Sequence, residues 1–174
     1  MYDFFTSYWH LFHGNIIHYC DRPFTSLKQM HGTLRARYNA VVSETDHVWV
    51  LGDVSLLGPE RVGQVRKEVT KFNGIKHLVI GNHDEWKVRN YLQAGFTTVH
   101  SAFWFQHKDY TFYLMHDPAE YNVIQHQENA YMLCGHIHNL FTNLLPEKRL
   151  INVGVDVWDM KPVSMSQIME TIAK

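Results

Sequence analysis

Four apolar runs in this 174-residue chain each stop at a residue able to bind a metal or move a proton. Leu78-Val79-Ile80 runs into Gly81-Asn82-His83-Asp84, and Val48-Trp49-Val50-Leu51 runs into Gly52-Asp53. Tyr113-Leu114-Met115 ends at His116, and Tyr131-Met132-Leu133-Cys134 ends at Gly135-His136-Ile137-His138. A short continuous apolar run punctuated by Gly is the pattern of a strand buried on both faces. Such strands need a layer on each side, and the polar groups at their ends collect at one sheet edge. The repetition therefore points to an α/β fold with one site at a common edge.

Taken in order, residues 2–7 read as a first strand leading into Tyr8-Trp9-His10, and Arg22-Pro23 marks a turn. Residues 26–42 have helical spacing with Ser26 as cap, and 47–51 form a second strand. Pro59 opens a helix that carries Val62, Val65, Val69 and Phe72, and Asn73-Gly74 stops it. Residues 76–80 form a third strand, and 84–94 read as a helix closed by Gly95. The character then changes. Residues 97–105 and 110–115 are β-rich and make a hairpin, followed by strands at 130–134, 150–153 and 155–158 and a helix over 164–173. β-α units come first and mostly antiparallel strands follow. No repeat or linker divides the chain, so 1–174 is expected to be one domain: a two-sheet β-sandwich of mixed strands flanked by helices.

Composition removes several classes of function. Hydrophobic residues at 45% and charged residues at 19% describe a globular chain. A formal net charge of -1 argues against duplex nucleic acid or an anionic membrane as partner. Cys20 and Cys134 are too few for a disulfide framework, which makes a reducing, cytoplasmic setting the expectation. The N-terminus has no signal-peptide pattern, and no apolar run is long enough for a membrane helix. Thirteen histidines are present, but their number proves little, because most lie outside the strand ends.

The strand-end set is His10, Asp53, Asn82, His83, His116, His136 and His138. Imidazole, carboxylate and amide oxygen suit borderline divalent ions such as Mn, Fe, Zn or Co. Without thiolate, a structural zinc site is disfavoured. Two nearby metals sharing a carboxylate are an arrangement used for phosphoryl transfer, and Asp53 is the carboxylate placed to bridge.

Gly52-Asp53, Gly81-Asn82-His83-Asp84, His116 and Gly135-His136-Ile137-His138, in that order, resemble the motifs of the calcineurin-like metallophosphoesterases. Asn152-Val153-Gly154-Val155-Asp156 resembles that family's closing strands. The resemblance implies two divalent ions, Mn²⁺ foremost, bridged by Asp53. It gives His10 and His138 to the first ion and Asn82, His116 and His136 to the second. It makes His83 the group that protonates the leaving oxygen or steadies charge on the phosphoryl group, with Asp84 orienting His83.

One position departs from the pattern. The family's first motif is Asp-x-His, and here it reads Tyr8-Trp9-His10. Losing one carboxylate from a dication site, to a longer side chain with a pKa near ~10, is expected to leave the first site weak or empty. Two functions follow from the resemblance. One is a metal-dependent phosphoesterase of small phosphorylated molecules or nucleotides. The other is an impaired relative that binds a phosphorylated ligand or a protein partner without turnover. A protein phosphatase is disfavoured, because Val54-Ser55-Leu56-Leu57 and Asp84 stand where that subfamily has Arg and Glu. His13, Asn15 and Arg22 lie near the first motif as substrate contacts, Arg22 reading either as a phosphate contact or as a surface ion pair. Trp9, Trp86, Trp104 and Trp158 read as core or rim, or as stacking platforms.

Overall fold

A computed structural model describes residues 1–139 and 144–173. Its strands form two five-stranded sheets that share one sandwich. The first holds β1 (Asp3–Thr6), β2 (His47–Leu51), β3 (Ile75–Val79), β4 (Thr98–His100) and β10 (Val163–Ser164), in the order β10-β1-β2-β3-β4. β1 to β4 are parallel, and β10 pairs antiparallel with β1. The second holds β5 (Phe103–His107), β6 (Tyr110–Leu114), β7 (Ala130–Cys134), β8 (Leu144–Leu145) and β9 (Leu150–Asn152), in the order β5-β6-β7-β9-β8.

The continuous apolar runs make sense in this arrangement, because alternate side chains feed different cores. Phe5, Trp49, Leu51 and Val79 point between the sheets and meet Phe112, Leu114, Leu133 and Ile151. Phe4, Val48, Val50 and Leu78 point the other way. There they meet Met30, Leu34 and Tyr38 of α2 (Leu27–Asn39), Val65 and Val69 of α3 (Val62–Val69), and Tyr91 of α4 (Val88–Ala94). The second sheet buries Ala130, Met132 and Cys134 with Ile124 on its far side. α1 (Ile16–Tyr19) is a single turn, and α5 (Met165–Ile172) seals the sandwich near β10. Local chemistry sets the helix starts. Ser26 Oγ accepts the Gln29 N–H at 3.3 Å, and Ser164 with Gln167 forms a capping box. No helix among the described residues is long and apolar enough to cross a membrane.

Four expectations need correction. Residues 97–105 are not one strand. β4 completes the first sheet at Val79↔His100, and the chain then changes layer before β5 pairs with β6, since one strand cannot serve both sheets. The second half is not mostly antiparallel, because β6–β7 and β7–β9 are parallel. The helix expected over 84–94 begins only at Val88, because the preceding residues are committed to the strand ends. Residues 155–157 form a 3₁₀ turn rather than a strand.

These parallel pairings position the site. β1, β2 and β3 share a direction, so Tyr8-Trp9-His10, Gly52-Asp53 and Gly81–Asp84 all leave one edge of the first sheet. β6, β7 and β9 do the same for His116, Gly135–His138 and Asp156 in the second.

Candidate metal centre at the strand ends

The strand ends approach more closely than side chains would allow. A Cβ on Gly52, whose φ is 80°, would lie 2.4 Å from His116 Nδ1 and 2.6 Å from Gly81 Cα. One on Gly81 would lie 2.6 Å from Asp53 Oδ1. Glycine is required at both positions. Tyr8, His10, Asp53, His136 and His138 all adopt positive φ, a left-handed backbone that costs roughly 1–2 kcal/mol per non-glycine residue. Such strain gathers where side-chain aim matters more than local stability.

The aim gathers around His116 Nε2. His116 Nδ1 lies 2.8 Å from the Leu51 carbonyl oxygen, which can only accept, so Nδ1 carries the proton. In the neutral ring Nε2 is then a bare lone pair. It faces Asn82 Oδ1 at 2.8 Å and Asp53 Oδ2 at 3.5 Å. His136 Nδ1 lies 2.9 Å from the same Asn82 oxygen and 3.4 Å from His116 Nε2. The His116 lone pair and the Asn82 and Asp53 oxygens, pressed together in this way, repel one another unless a donor or a cation lies among them. One carboxylate, one amide oxygen and two imidazoles fit a borderline divalent ion. The Leu51 carbonyl supplies the outer hydrogen bond that sets a ligating histidine's tautomer.

His10 approaches Asp53 from the other side, with Nε2 3.6 Å from Oδ2. Its ring is buried, and neither nitrogen has a hydrogen-bond partner among the described residues. Burial, then Arg22 and the neighbouring imidazoles, push His10 down to about 2, so the ring is neutral. Two orphaned nitrogens beside a carboxylate fit a ligand waiting for a cation.

The space beyond His10 is taken by Tyr8. Its ring is wholly buried, stacked 4.0 Å from the His138 ring and 5.3 Å from that of His10. A Cβ on Gly154 would lie 3.0 Å from Tyr8 Cδ2, so the ring fits tightly against that glycine. The Tyr8 hydroxyl is buried without a partner among the described residues. Beyond Tyr8, His138 Nδ1 lies 3.1 Å from Cys20 Sγ and 3.8 Å from Asp156 Oδ2.

Two expected roles change. Arg22 is neither a free phosphate contact nor a surface ion pair. Its side chain is fully buried, with Nε 2.8 Å and Nη2 3.0 Å from the Asp156 carboxylate, and Nη2 also donates to the Tyr8 carbonyl at 2.9 Å. It ties the loop after β1 to the turn after β9. Burial works to raise Asp156, but the nearby His138 and the bonds from Arg22 hold it below the usual carboxylate range.

Asp84 likewise does not reach the His83 ring. Its oxygens accept the N–H groups of Asp53 at 2.7 Å, Gly81 at 2.9 Å and Val54 at 3.1 Å. The side chain therefore staples the β2 end to the β3 end and holds Asp53 in place. Burial pushes its carboxyl up to about 7, with the Asp53 charge adding to the rise and the three N–H groups opposing it.

His83 is exposed, and its backbone N–H donates to Asp53 Oδ1 at 3.2 Å. His13 is half-buried, with its ring 5.6 Å from that of His10. Asn15 is exposed at the start of α1 and is not among the residues lining the cavity that holds His10, His13 and His83. Sequence reasoning missed Asp156 and Cys20 as neighbours of His138. Asp156, just after the β9 end, obeys the same strand-end pattern that found the others.

Three comparisons bear on this geometry. A family model, the calcineurin-like phosphoesterase superfamily domain, matches residues 27–170, a span that begins after Tyr8 and His10. An uncharacterized protein of Methanocaldococcus jannaschii is 30% identical over 169 residues, which cover 95% of this chain and 88% of that one. The crystal structure of an Aquifex aeolicus protein of unknown function superposes with a TM-score of 0.76 at 24% identity, covering 98% of this chain and 99% of that one. The last shows a shared fold.

Proposed function

The chain belongs to the calcineurin-like phosphoesterase superfamily, and from that premise we propose that it is a metal-dependent phosphoesterase. It hydrolyses phosphodiester or phosphomonoester bonds of small molecules or nucleotides. The observation that carries the reading is the His116 Nε2 lone pair facing Asn82 Oδ1 at 2.8 Å and Asp53 Oδ2 at 3.5 Å, a set of acceptors that calls for a cation. Asp53, Asn82, His116 and His136 would hold a divalent ion, Mn²⁺ by preference. Such an ion supplies Lewis acidity, sharpening water as a nucleophile and offsetting phosphoryl charge.

The chain's own groups do the rest. Asp84 and the Leu51 carbonyl fix Asp53 and His116 before substrate arrives, so little reorganisation is needed. His83, exposed above Asp53, gives its proton to the leaving oxygen. Tyr8 packs its buried ring against both His10 and His138, where the first motif would have a carboxylate, which favours one firmly held ion over two. The unpaired Cys20 and Cys134 support a reducing, cytoplasmic setting.

The same Tyr8 ring favours a second reading, a binding protein whose metal centre no longer turns substrate over. The experiment is a panel of aryl phosphomonoesters and phosphodiesters assayed with Mn²⁺. The phosphoesterase reading expects turnover that needs Mn²⁺ and disappears in His116→Ala. No turnover in the wild type, with turnover in Tyr8→Asp, would hand the protein to the second reading.

A further inference from the structure

The cleft runs in two directions from His83. On one side is a cavity of about 480 Å³ whose walls include His10, Ile16, Tyr19 and Ile137. On the other is a cavity of about 240 Å³ walled by Leu57, Pro59, Glu85 and Trp86. Leu56 and His83 line both. A phosphorus centre held at His83 therefore has one open space on each side, which a phosphomonoester could fill only once. The smaller space lies below the roughly 300–1,000 Å³ usual for a whole small-molecule site, and so suits a single arm of a ligand.

Charge narrows the class further. Among the described residues no Lys or Arg lines either cavity. Arg22, the arginine beside the first motif, is consumed by Asp156. Glu85 adds a carboxylate to the smaller cavity. A phosphomonoester brings two negative charges near neutral pH, whereas a diester brings one. With the ion as the one permanent positive charge at the site, the second charge of a monoester finds no side-chain cation, and the diester is met at lower electrostatic cost.

Trp86 is built as a platform. Its ring lies 5.2 Å from that of Tyr91 at an interplanar angle of 22°, and Tyr91 is itself buried. Trp86 Nε1–H donates to the Leu57 carbonyl at 2.8 Å, and its backbone N–H to Tyr91 Oη at 3.1 Å. The indole is thus covered on one face, pinned at its edge, and set as a wall of the smaller cavity. Fixed aromatic faces stack planar rings at little entropic cost.

Resting on the phosphoesterase reading, we infer that the substrate class is a phosphodiester with a planar aromatic arm, seated on Trp86, and a second arm against Ile16, Tyr19 and Ile137. Hydrolysis adds water across one P–O ester bond, giving a phosphomonoester and an alcohol or phenol, with one water proton on the departing oxygen.

Binding is tested apart from turnover, on full-length His83→Ala with Mn²⁺, by calorimetric titration of thymidylyl-thymidine, thymidine 5′-monophosphate and dimethyl phosphate. The dinucleotide should bind about tenfold or more tighter than the monophosphate. Adding Trp86→Ala should weaken the dinucleotide by about fivefold or more while changing dimethyl phosphate less than about twofold, and Trp86→Phe should restore most of the loss. Exposed Glu85 offers a second handle with little risk to folding, and Glu85→Lys should narrow the diester-over-monoester gap by about threefold. Equal or tighter binding of the monophosphate, or equal weakening of both diesters by Trp86→Ala, overturns the inference. Diester-selective binding with no turnover of bis(p-nitrophenyl) phosphate by the wild type would support it and remove the phosphoesterase reading instead.

Discussion

Replacing Asp84 by Asn separates two roles for this carboxylate. In the structure it accepts three backbone N–H groups, from Asp53 at 2.7 Å, Gly81 at 2.9 Å and Val54 at 3.1 Å. Asparagine offers one oxygen in place of two. Put where Oδ2 was, that oxygen still serves Asp53 and Gly81, but the amide NH₂ then faces the Val54 N–H, donor against donor. One buried N–H left unsatisfied costs about 1–3 kcal/mol, and two charge-assisted bonds become ordinary ones. Asparagine also escapes the burial that pushes the carboxyl from 3.8 up to about 7, and that shift opposes the charge at pH 8 by more than the lost bond costs. The net expectation is a metal-free fold no less stable than wild type, with the staple loosened at Val54. It is read by urea unfolding of metal-free protein at pH 8, where the wild-type group is mostly ionised. Because Asp53 hangs from the same staple, Mn²⁺ affinity should fall. If Asp84→Asn left metal affinity unchanged while turnover dropped, the carboxylate would be acting on His83 and the stapling argument would be wrong.

Three further outcomes are expected. Elemental analysis of wild type loaded with Mn²⁺ should give one ion per chain and Tyr8→Asp two, with the metal-free variant about 3 kcal/mol or more less stable for loss of a fully buried ring; two ions in the wild type would contradict the plugging by Tyr8. Gly135→Ala places a Cβ 2.3 Å from Ser7 Oγ and 2.9 Å from the Leu51 carbonyl that orients His116, so it should cost about 1–3 kcal/mol and weaken metal binding together, as thermal melts with and without Mn²⁺ would show. His77 is pushed from 6.5 down to about 4 by burial, then by His47 and His100. The unfolded chain takes up that proton near pH 6.5 and the folded one only near 4, so stability drains away as pH falls through this window. Unfolding curves at several pH values should show a shallower acid slope in His77→Gln, and an unchanged slope counts against the assignment.

How much was legible beforehand differs from residue to residue. The runs ending at Gly52, Gly81 and Gly135 announced buried strands and their shared edge, because each glycine marks a backbone approach that no side chain survives. Asp53, Asn82, His116 and His136 were found for that reason, and they do converge. The split of residues 97–105 between two sheets was not legible, because the same β-rich pattern suits either layer and only pairing partners distinguish them. The parallel pairing of β6 with β7 was hidden for the same reason.

The side-chain roles show the boundary most clearly. The Tyr8 departure could be read from the sequence, down to the crowding it would cause. That the ring packs against both His138 and His10, which also stack on each other, needed the fold. Arg22 and Asp156 are 134 residues apart, and Asp84 reaches the amides of Asp53 and Val54 from about thirty residues away. The sequence by itself determined the buried strands, their chemistry-bearing ends and the family they resemble, since periodicity and glycine placement act locally. Only the tertiary structure decided which polar groups those ends would spend on one another and which they would leave turned toward a cation. Hydrogen-bond partnership depends on distances of about 3 Å between segments remote along the chain, and no local pattern encodes those distances.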